Sequence, residues 1–487
     1  QVTDGQPVQV IPAGVTVPWA EVDLSDLGEA GAQAELARLG REDYGRRFDM
    51  ARAPLLRFTL VRLAEERHCL LLTSHHILLD GWSTPIVARE LFALYASGGD
   101  VSVLPGVTPF RDYLAWLGGQ DRAAARQAWQ RELAGVEQAT RLAPADPSRS
   151  PRLPERVVTE ASGELSGALR ARAKQLGVTV NTVLQAAWGL VLSRATGQRD
   201  VVFGAIVSGR TPQLPDVESM VGLFINIVPV RVRVSPGQSL SELIGGLQEA
   251  QSSLGPHHHL GLSEIQQLTG IPELFDTMMV FENYPWDGPA QDVAAGLDAG
   301  VRVVPALERG RDATHYPLTL VAAPGRRLYL RLDYRDDLFD HTTAKGLLDR
   351  LLLVLTAMAD DPGVPAGRVD VTTAEERGGC WKPGTTPRRA VNCFCFRAVR
   401  GAGGGHSGRA RGLFRPGHPL LRGVEPACQP SGPCPDPAGY RTGEHRRACP
   451  GAVFRSGRRR PGGPQGGRGA PAPGSRASPC ADRVHAR

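Results

Sequence analysis

The chain has 487 residues, 41% of them hydrophobic, enough to bury a large core in two or three domains. Gln1 to Gln9 show no basic start or apolar stretch, and no long uncharged apolar run follows, so neither a signal peptide nor a spanning helix is read and a cytoplasmic location is expected. The net charge of +6 suggests nucleic acid only until it is divided: from Arg377 onward there are 21 Lys and Arg against 4 Asp and Glu, whereas the first 376 residues carry 35 against 46, so the body is acidic.

In chain order, Gln1 to Trp19 reads as extended chain followed by turns, and "LGEAGAQAELARLGREDYGRRF" as a helix. "LLRFTLVRL", a turn at "AEER" and "HCLLLTSHH" read as a β-hairpin whose second strand ends in His75 and His76. Pro85 to Ser97 follows as an amphipathic helix, with Thr84 as its cap and Pro85 at the first position, where a missing N–H costs nothing. "FRDYLAWLGGQDRAAARQAWQRELAG" continues as helices, and "RLAPADPSRSPRLPER", with four prolines in sixteen residues, reads as a crossover. Beyond it come two helices broken at Gly177, strands in "DVVFGAIVSGR" and "INIVPVRVRV", and a helix near Leu240 to Leu254. Strands in "TMMVFENYP", "YPLTLVAA" and "RLYLRLDYR" and a closing helix "TTAKGLLDRLLLVLTAMADD" complete an α/β pattern without short repeats.

Residues 377–487 depart from that pattern, with 37 Gly and Pro, only 12 Val, Leu and Phe, and no Ile or Met. Such a segment cannot bury enough surface to fold. Its Arg, Gly, Pro, Ala and Cys alphabet is what GC-rich coding sequence produces in the wrong frame, and it lacks the interleaved aromatics of a nucleic-acid-binding arm. Seven of the eight cysteines lie in it at irregular spacing; Cys69 stands alone in the body, so neither a disulfide framework nor a zinc site is read.

The stretch "SHHILLDGWS", Ser74 to Ser83, carries the chemistry. Neighbouring side chains of a strand point to opposite faces, so in a regular strand His75 and His76 divide into one structural and one catalytic residue. An imidazole suits proton transfer near neutral pH. Gly81 permits a turn closed to other residues, and a carboxylate at Asp80 can hold the structure around it. No HExxH spacing supports zinc, and the bland reading, a hydrogen-bonded rim histidine, stands on chemistry alone.

"HHILLDG" resembles the HHxxxDG signature of condensation domains of nonribosomal peptide synthetases. "RFDMARAPLLRFTLVRL", "FRDYLAWL", "VFGAIVSGRTPQLPDVESMVGLFINIVPVRV", "HLGLSEIQQLTG", "LFDTMMVFENYP" and "HYPLTLVAAPGRRLYLRLDYRDDLFD" match further family motifs in the family's order. The resemblance implies an α/β, two-lobed fold like chloramphenicol acetyltransferase with a central tunnel. The N-terminal lobe would span 1–141, a Pro-rich linker 142–156, the C-terminal lobe 157–376 and the low-complexity tail 377–487.

It implies amide formation between a donor acyl or peptidyl thioester and an acceptor aminoacyl amine, both on phosphopantetheine arms of carrier proteins. An adenylation domain would be the neighbour in an intact synthetase, and neither a cofactor of the domain's own, a metal, nucleic acid nor membrane is implied. His76 matches the catalytic histidine, as base or as positioner of the amine. Asp80 is expected to pair with Arg210 of "SGR" through a bidentate fork. His75 is structural, Gly81, Trp82 and Ser83 are expected beside His76 along the tunnel, and Asn283 is a candidate to polarise the substrate carbonyl. "DGWS" is closest to the subtype joining an L-donor to an L-acceptor. His257 to His259 reads as a solvated loop. The family's opening serine- and glutamine-containing motif lies ahead of what is here Gln1, so the first lobe reads as incomplete; the alternative function is an inactive remnant that at most binds carrier proteins.

Overall fold

The structure is a computed structural model; it describes residues 9–377 except 13, 147–149, 151, 283–313 and 374–375, together with the backbone of residues 2, 3, 6 and 7. The tail from residue 378, expected to be unpatterned, lies outside the described residues.

After a short hairpin, β1 (Val2–Thr3) with β2 (Gln6–Pro7), the first sheet has the order β3-β4-β5 from Trp19–Asp23, Leu56–Ala64 and Arg67–Ser74. The anticipated hairpin is present, but its turn is two residues rather than four: Ala64 pairs with Arg67, and a register shift falls between Arg62 and Ala64. Two-residue loops match the twist of paired strands, which draws both flanks of "AEER" into the ladder. β3 was not anticipated. It is five residues long and mostly exposed, and its pairing, parallel to β4 from Trp19↔Phe58 to Asp23↔Arg62, is non-local and invisible to periodicity. Helix α1 (Gly28–Gly45) buries Ala32 and Leu36 against Val61, Leu63, Cys69 and Leu71 of that sheet. Asp43 near its end takes the buried Arg57 at 2.6 Å.

Helix α2 (Ser83–Ala96) starts two residues earlier than expected, and Thr84 is not its cap; the Thr84 hydroxyl donates to the carbonyl of Asp80 at 3.2 Å. Helices α3 (Phe110–Gly118) and α4 (Arg122–Glu132) follow, the second capped by the Asp121 carboxylate on the Ala124 N–H. The chain then crosses to a six-stranded sheet of order β6-β11-β10-β9-β7-β8. Its strands are β6 (Glu155–Glu160), β7 (Asp200–Val207), β8 (Asn226–Arg233), β9 (Thr277–Phe281), β10 (Leu318–Ala323) and β11 (Tyr329–Tyr334). β6 begins inside the expected crossover, pairing antiparallel with β11.

Helices α5 (Gly163–Leu176) and α6 (Val180–Thr196) are separated at Gly177, whose φ of 68° is the left-handed conformation that suits a glycine cap. α6 is buried on every face from Thr182 to Ser193, which explains its lack of a polar stripe. With α7 (Leu240–Leu254) and the closing α9 (His341–Asp360), it covers one face of the large sheet in a core that includes Trp188, Phe203 and Leu351. Helix α8 (Leu262–Gln267) and Trp129 of α4 cover the other face with Phe275, Met278 and Tyr316. Trp129 donates to the His257 carbonyl at 3.1 Å, so α4 belongs to the large sheet's core. No single helix among the described residues is long and apolar enough to cross a membrane.

Candidate active site

A cavity of about 2530 Å³ is lined by His75, His76, Leu78 and Trp82 after the last strand of the first sheet, by Gly209 and Phe224 between β7 and β8, and by Gln251 of α7, among others. β5 ends at Ser74, so the alternation rule for a regular strand does not apply to the two histidines. They sit in a turn closed by Leu78 N–H donating to the His75 carbonyl at 3.0 Å, and both line the cavity. Their roles are divided by contacts instead. His75 is half-buried, its Nδ1 accepts the Ile77 N–H at 3.2 Å, and Phe48 meets its ring edge-on. Burial, and then the neighbouring His76, push its pKa down, keeping it neutral. His76 is exposed and makes no side-chain hydrogen bond or ion pair among the described residues.

The turn is anchored at both ends. His75 N–H donates to Leu55 at 2.8 Å, and Asp80 N–H donates to Gly222 of the segment before β8 at 3.0 Å. Asp80 is buried, and its side chain reaches Arg210 at 3.2 Å. The contact is one-pronged rather than the expected fork: Arg210 Nη2 bonds Asp80 Oδ1 and the Ser83 hydroxyl, while Nη1 bonds the carbonyls of Met220, at 3.1 Å, and Val217. Asp80 Oδ2 instead takes the Phe224 N–H at 3.1 Å. Oδ1 also accepts the Ser83 N–H at 2.9 Å and its hydroxyl at 2.8 Å, so the carboxylate holds the first N–H of α2 and meets the positive end of its dipole.

Two expected tunnel residues are placed elsewhere. Ser83 has no accessible surface; its hydroxyl is used between Asp80, Arg210 and Gly222, because a buried ion pair needs its remaining donors and acceptors satisfied. Gly81 does not line the cavity and is not among the glycines with positive φ. The left-handed demand falls on Gly209, φ 64°, where an added Cβ would lie 1.9 Å from the Phe224 oxygen. Trp82 does line the cavity, and Asn283 lies outside the described residues.

Sequence reasoning missed Tyr113 and Phe224. The Phe224 ring lies 4.1 Å beneath the Arg210 guanidinium, and Tyr113 is buried beside it, its hydroxyl pushed up to about 12 by burial and then by the charge of Asp80. Gly222 lets Phe110 approach so closely that a Cβ would meet its ring at 2.2 Å. The three-histidine run is no solvated loop: His258 stacks on Trp129 and, with His259, lines the cavity. Burial, then its two neighbours, push His258 down to about 4. Asn226 fixes this loop by donating to the carbonyls of His258 and Leu260 at 2.8 and 2.7 Å. Among the described residues no group of three or more His, Cys, Asp or Glu could hold a metal ion.

The turn thus carries an exposed imidazole between the two sheets and is pinned by a buried Asp–Arg pair. The condensation-domain family model matches residues 1–378, and the chain belongs to that family, the amide-forming acyltransferases of nonribosomal peptide synthetases. It is 37% identical over 380 residues to a linear gramicidin synthase component of Brevibacillus parabrevis, a match that spans 76% of this chain and 7% of the relative. It is 32% identical over 375 residues to surfactin synthase subunit 3 of Bacillus subtilis (strain 168), across 76% of this chain and 29% of the relative. The chain therefore spans a small part of these relatives. Among solved structures, the X-domain from teicoplanin biosynthesis superposes with a TM-score of 0.60 at 26% identity, over 74% of this chain and 83% of that one. The first condensation domain of the calcium-dependent antibiotic synthetase, in complex with substrate analogue 3a, superposes at 0.59 with 21% identity, over 76% and 82%, and shows the shared fold.

Proposed function

We propose that this chain joins a donor acyl or peptidyl thioester to the amine of an acceptor aminoacyl thioester, both presented on phosphopantetheine arms of carrier proteins, with L-configured partners on both sides. The acceptor nitrogen attacks the donor carbonyl, a C–N bond forms, the C–S bond breaks, and the donor arm leaves as a thiol that takes up the proton the amine gives off. His76 receives an N–H of the attacking amine, which aims the nitrogen's lone pair at the carbonyl and accepts the proton as charge develops. The single observation that carries this reading is the His76 ring, exposed to the cavity on a turn whose two ends are tied to different sheets.

His75, neutral and engaged with Ile77, cannot offer its Nδ1 to the same proton. Asp80 and Ser83, buried away from the cavity, keep the turn in place together with Arg210. The domain needs no cofactor of its own, and its neighbour in an intact synthetase is an adenylation domain. Along the chain the lobes span 1–141 and 157–376, with α4 of the first packed into the core of the second, 142–156 as the crossover and 377–487 as the low-complexity tail.

The test uses the full chain with loaded donor and acceptor carriers and mass-spectrometric detection of the product on the acceptor arm. Wild type is expected to form the amide at least about 10²-fold faster than His76→Ala. Equal rates for the two would overturn the reading, and substitution of a D-configured donor at equal rate would remove the stereochemical part.

A further inference from the structure

Where α6 and α7 face the cavity, three side-chain amides stand among apolar groups. Gln185 lies in the buried core of α6, flanked by Leu184 and Ala186, and is itself only 4% exposed. A polar side chain is costly at such a position unless its hydrogen-bonding groups are used. It makes one described hydrogen bond, between its carbonyl and the amide of Gln251 on α7. Whichever way the two carboxamides are turned, this contact uses one N–H and one oxygen. It leaves the pair with an NH₂ group and a carbonyl unengaged among the described contacts.

Asn181 stands one turn before Gln185 on the same face of α6, and its Oδ1 is buried without a hydrogen-bond partner among the described residues. All three amides line the cavity, with Leu247, Ala205 and Phe281 as their apolar neighbours. No Asp, Glu, Lys or Arg of α6 or α7 is among the described cavity-lining residues.

We infer that Gln185, Gln251 and Asn181 form a specificity site for an uncharged hydrogen-bonding side chain, a carboxamide or hydroxyl, on one of the two acyl groups joined in the cavity. This rests on the amide-forming reading above. The site offers donors and acceptors together, so it matches a group that has both. Neither α6 nor α7 offers a counter-charge there, so a carboxylate or ammonium entering between them finds no ionic partner on these helices. An apolar isostere fills the same space but leaves the free donor and acceptor of these amides without partners, the asymmetry by which hydrogen-bonding sites reject close analogues.

The experiment uses the full chain and carriers loaded in parallel with glutamine, methionine or glutamate, first varied at the acceptor with one fixed apolar donor, then at the donor with one fixed apolar acceptor. Wild type is expected to prefer glutamine over methionine and glutamate in kcat/KM by on the order of 10²-fold or more in one of the two arms, which names the acyl group concerned. Gln185→Leu, and independently Gln251→Leu from the other helix, are expected to shrink that ratio to a few-fold while turnover of the methionine substrate persists. Equal preference in both arms, or an equal loss for all three substrates in the variants, overturns the assignment; the latter would place the shared pantetheine arm or a purely structural role there. Calorimetric binding of pantetheine amides of glutamine and of methionine supplies a readout that needs no chemistry. A glutamine preference lost in both variants supports the site even if no amide is formed, and no preference in wild type overturns it.

Discussion

Removing Arg210 separates the ion pair's contribution from simple packing. In Arg210→Met the Asp80 carboxylate, with a side chain 0% exposed, keeps its bonds from Ser83 and Phe224 but loses its only cationic partner among the described residues. Leaving a buried charge uncompensated costs about 3–5 kcal/mol, and the surviving donors put the expected loss near 3 kcal/mol. Asp80→Asn leaves Arg210 with the Val217 and Met220 carbonyls and the Phe224 ring, so about 2 kcal/mol is expected there. The double variant removes both charges, and a coupling of about 1–3 kcal/mol between the sites should return part of the sum. Urea unfolding of all four proteins reads these values as shifts in midpoint at constant slope. Single losses below about 1 kcal/mol, or strict additivity in the double variant, would refute the view that the turn is held by charge.

Other expectations follow from single contacts. His76→Ala should leave the unfolding midpoint within about 0.5 kcal/mol of wild type, because the ring is exposed and unbonded among the described residues; a larger drop in urea titration would make it a structural residue. Gly209→Ala forces a Cβ to 1.9 Å from the Phe224 oxygen at a φ of 64°, so a loss above about 2 kcal/mol is expected, and a soluble variant with an unchanged midpoint would contradict that packing. Asp276 is buried, takes the Leu142 and Ala143 N–H groups on Oδ2, and has its carboxyl pushed up to about 6 by burial, which outweighs those bonds. Its folded pKa lies above the unfolded one, so its stabilising effect is complete below about pH 4 and is lost as pH rises through about 6. Asp276→Asn does not titrate, and should gain on wild type by about 2–3 kcal/mol between pH 4 and pH 7; midpoint-against-pH curves that run parallel would exclude this.

Most features under local control were legible in the order of the residues. The Gly177 break, the α5–α6 pair, the hairpin of β4 and β5 and the strands around "SGR" follow from glycine geometry, periodicity and β-branched content, which act over a few residues. The motif order likewise placed His76, Asp80 and Arg210 in one site before any distance was known. Tertiary structure decided the rest, because it depends on pairings 100 residues or more apart, as between Ser83 and Gly222. It showed β5 ending before the histidines and Ser83 serving the ion pair rather than the cavity. It also turned the three-histidine run inward against Trp129 and set Gln185 opposite Gln251. Burial is a property of the assembled chain: a glutamine in an apolar helix reads as a flaw in periodicity until a second helix brings the amide that completes it.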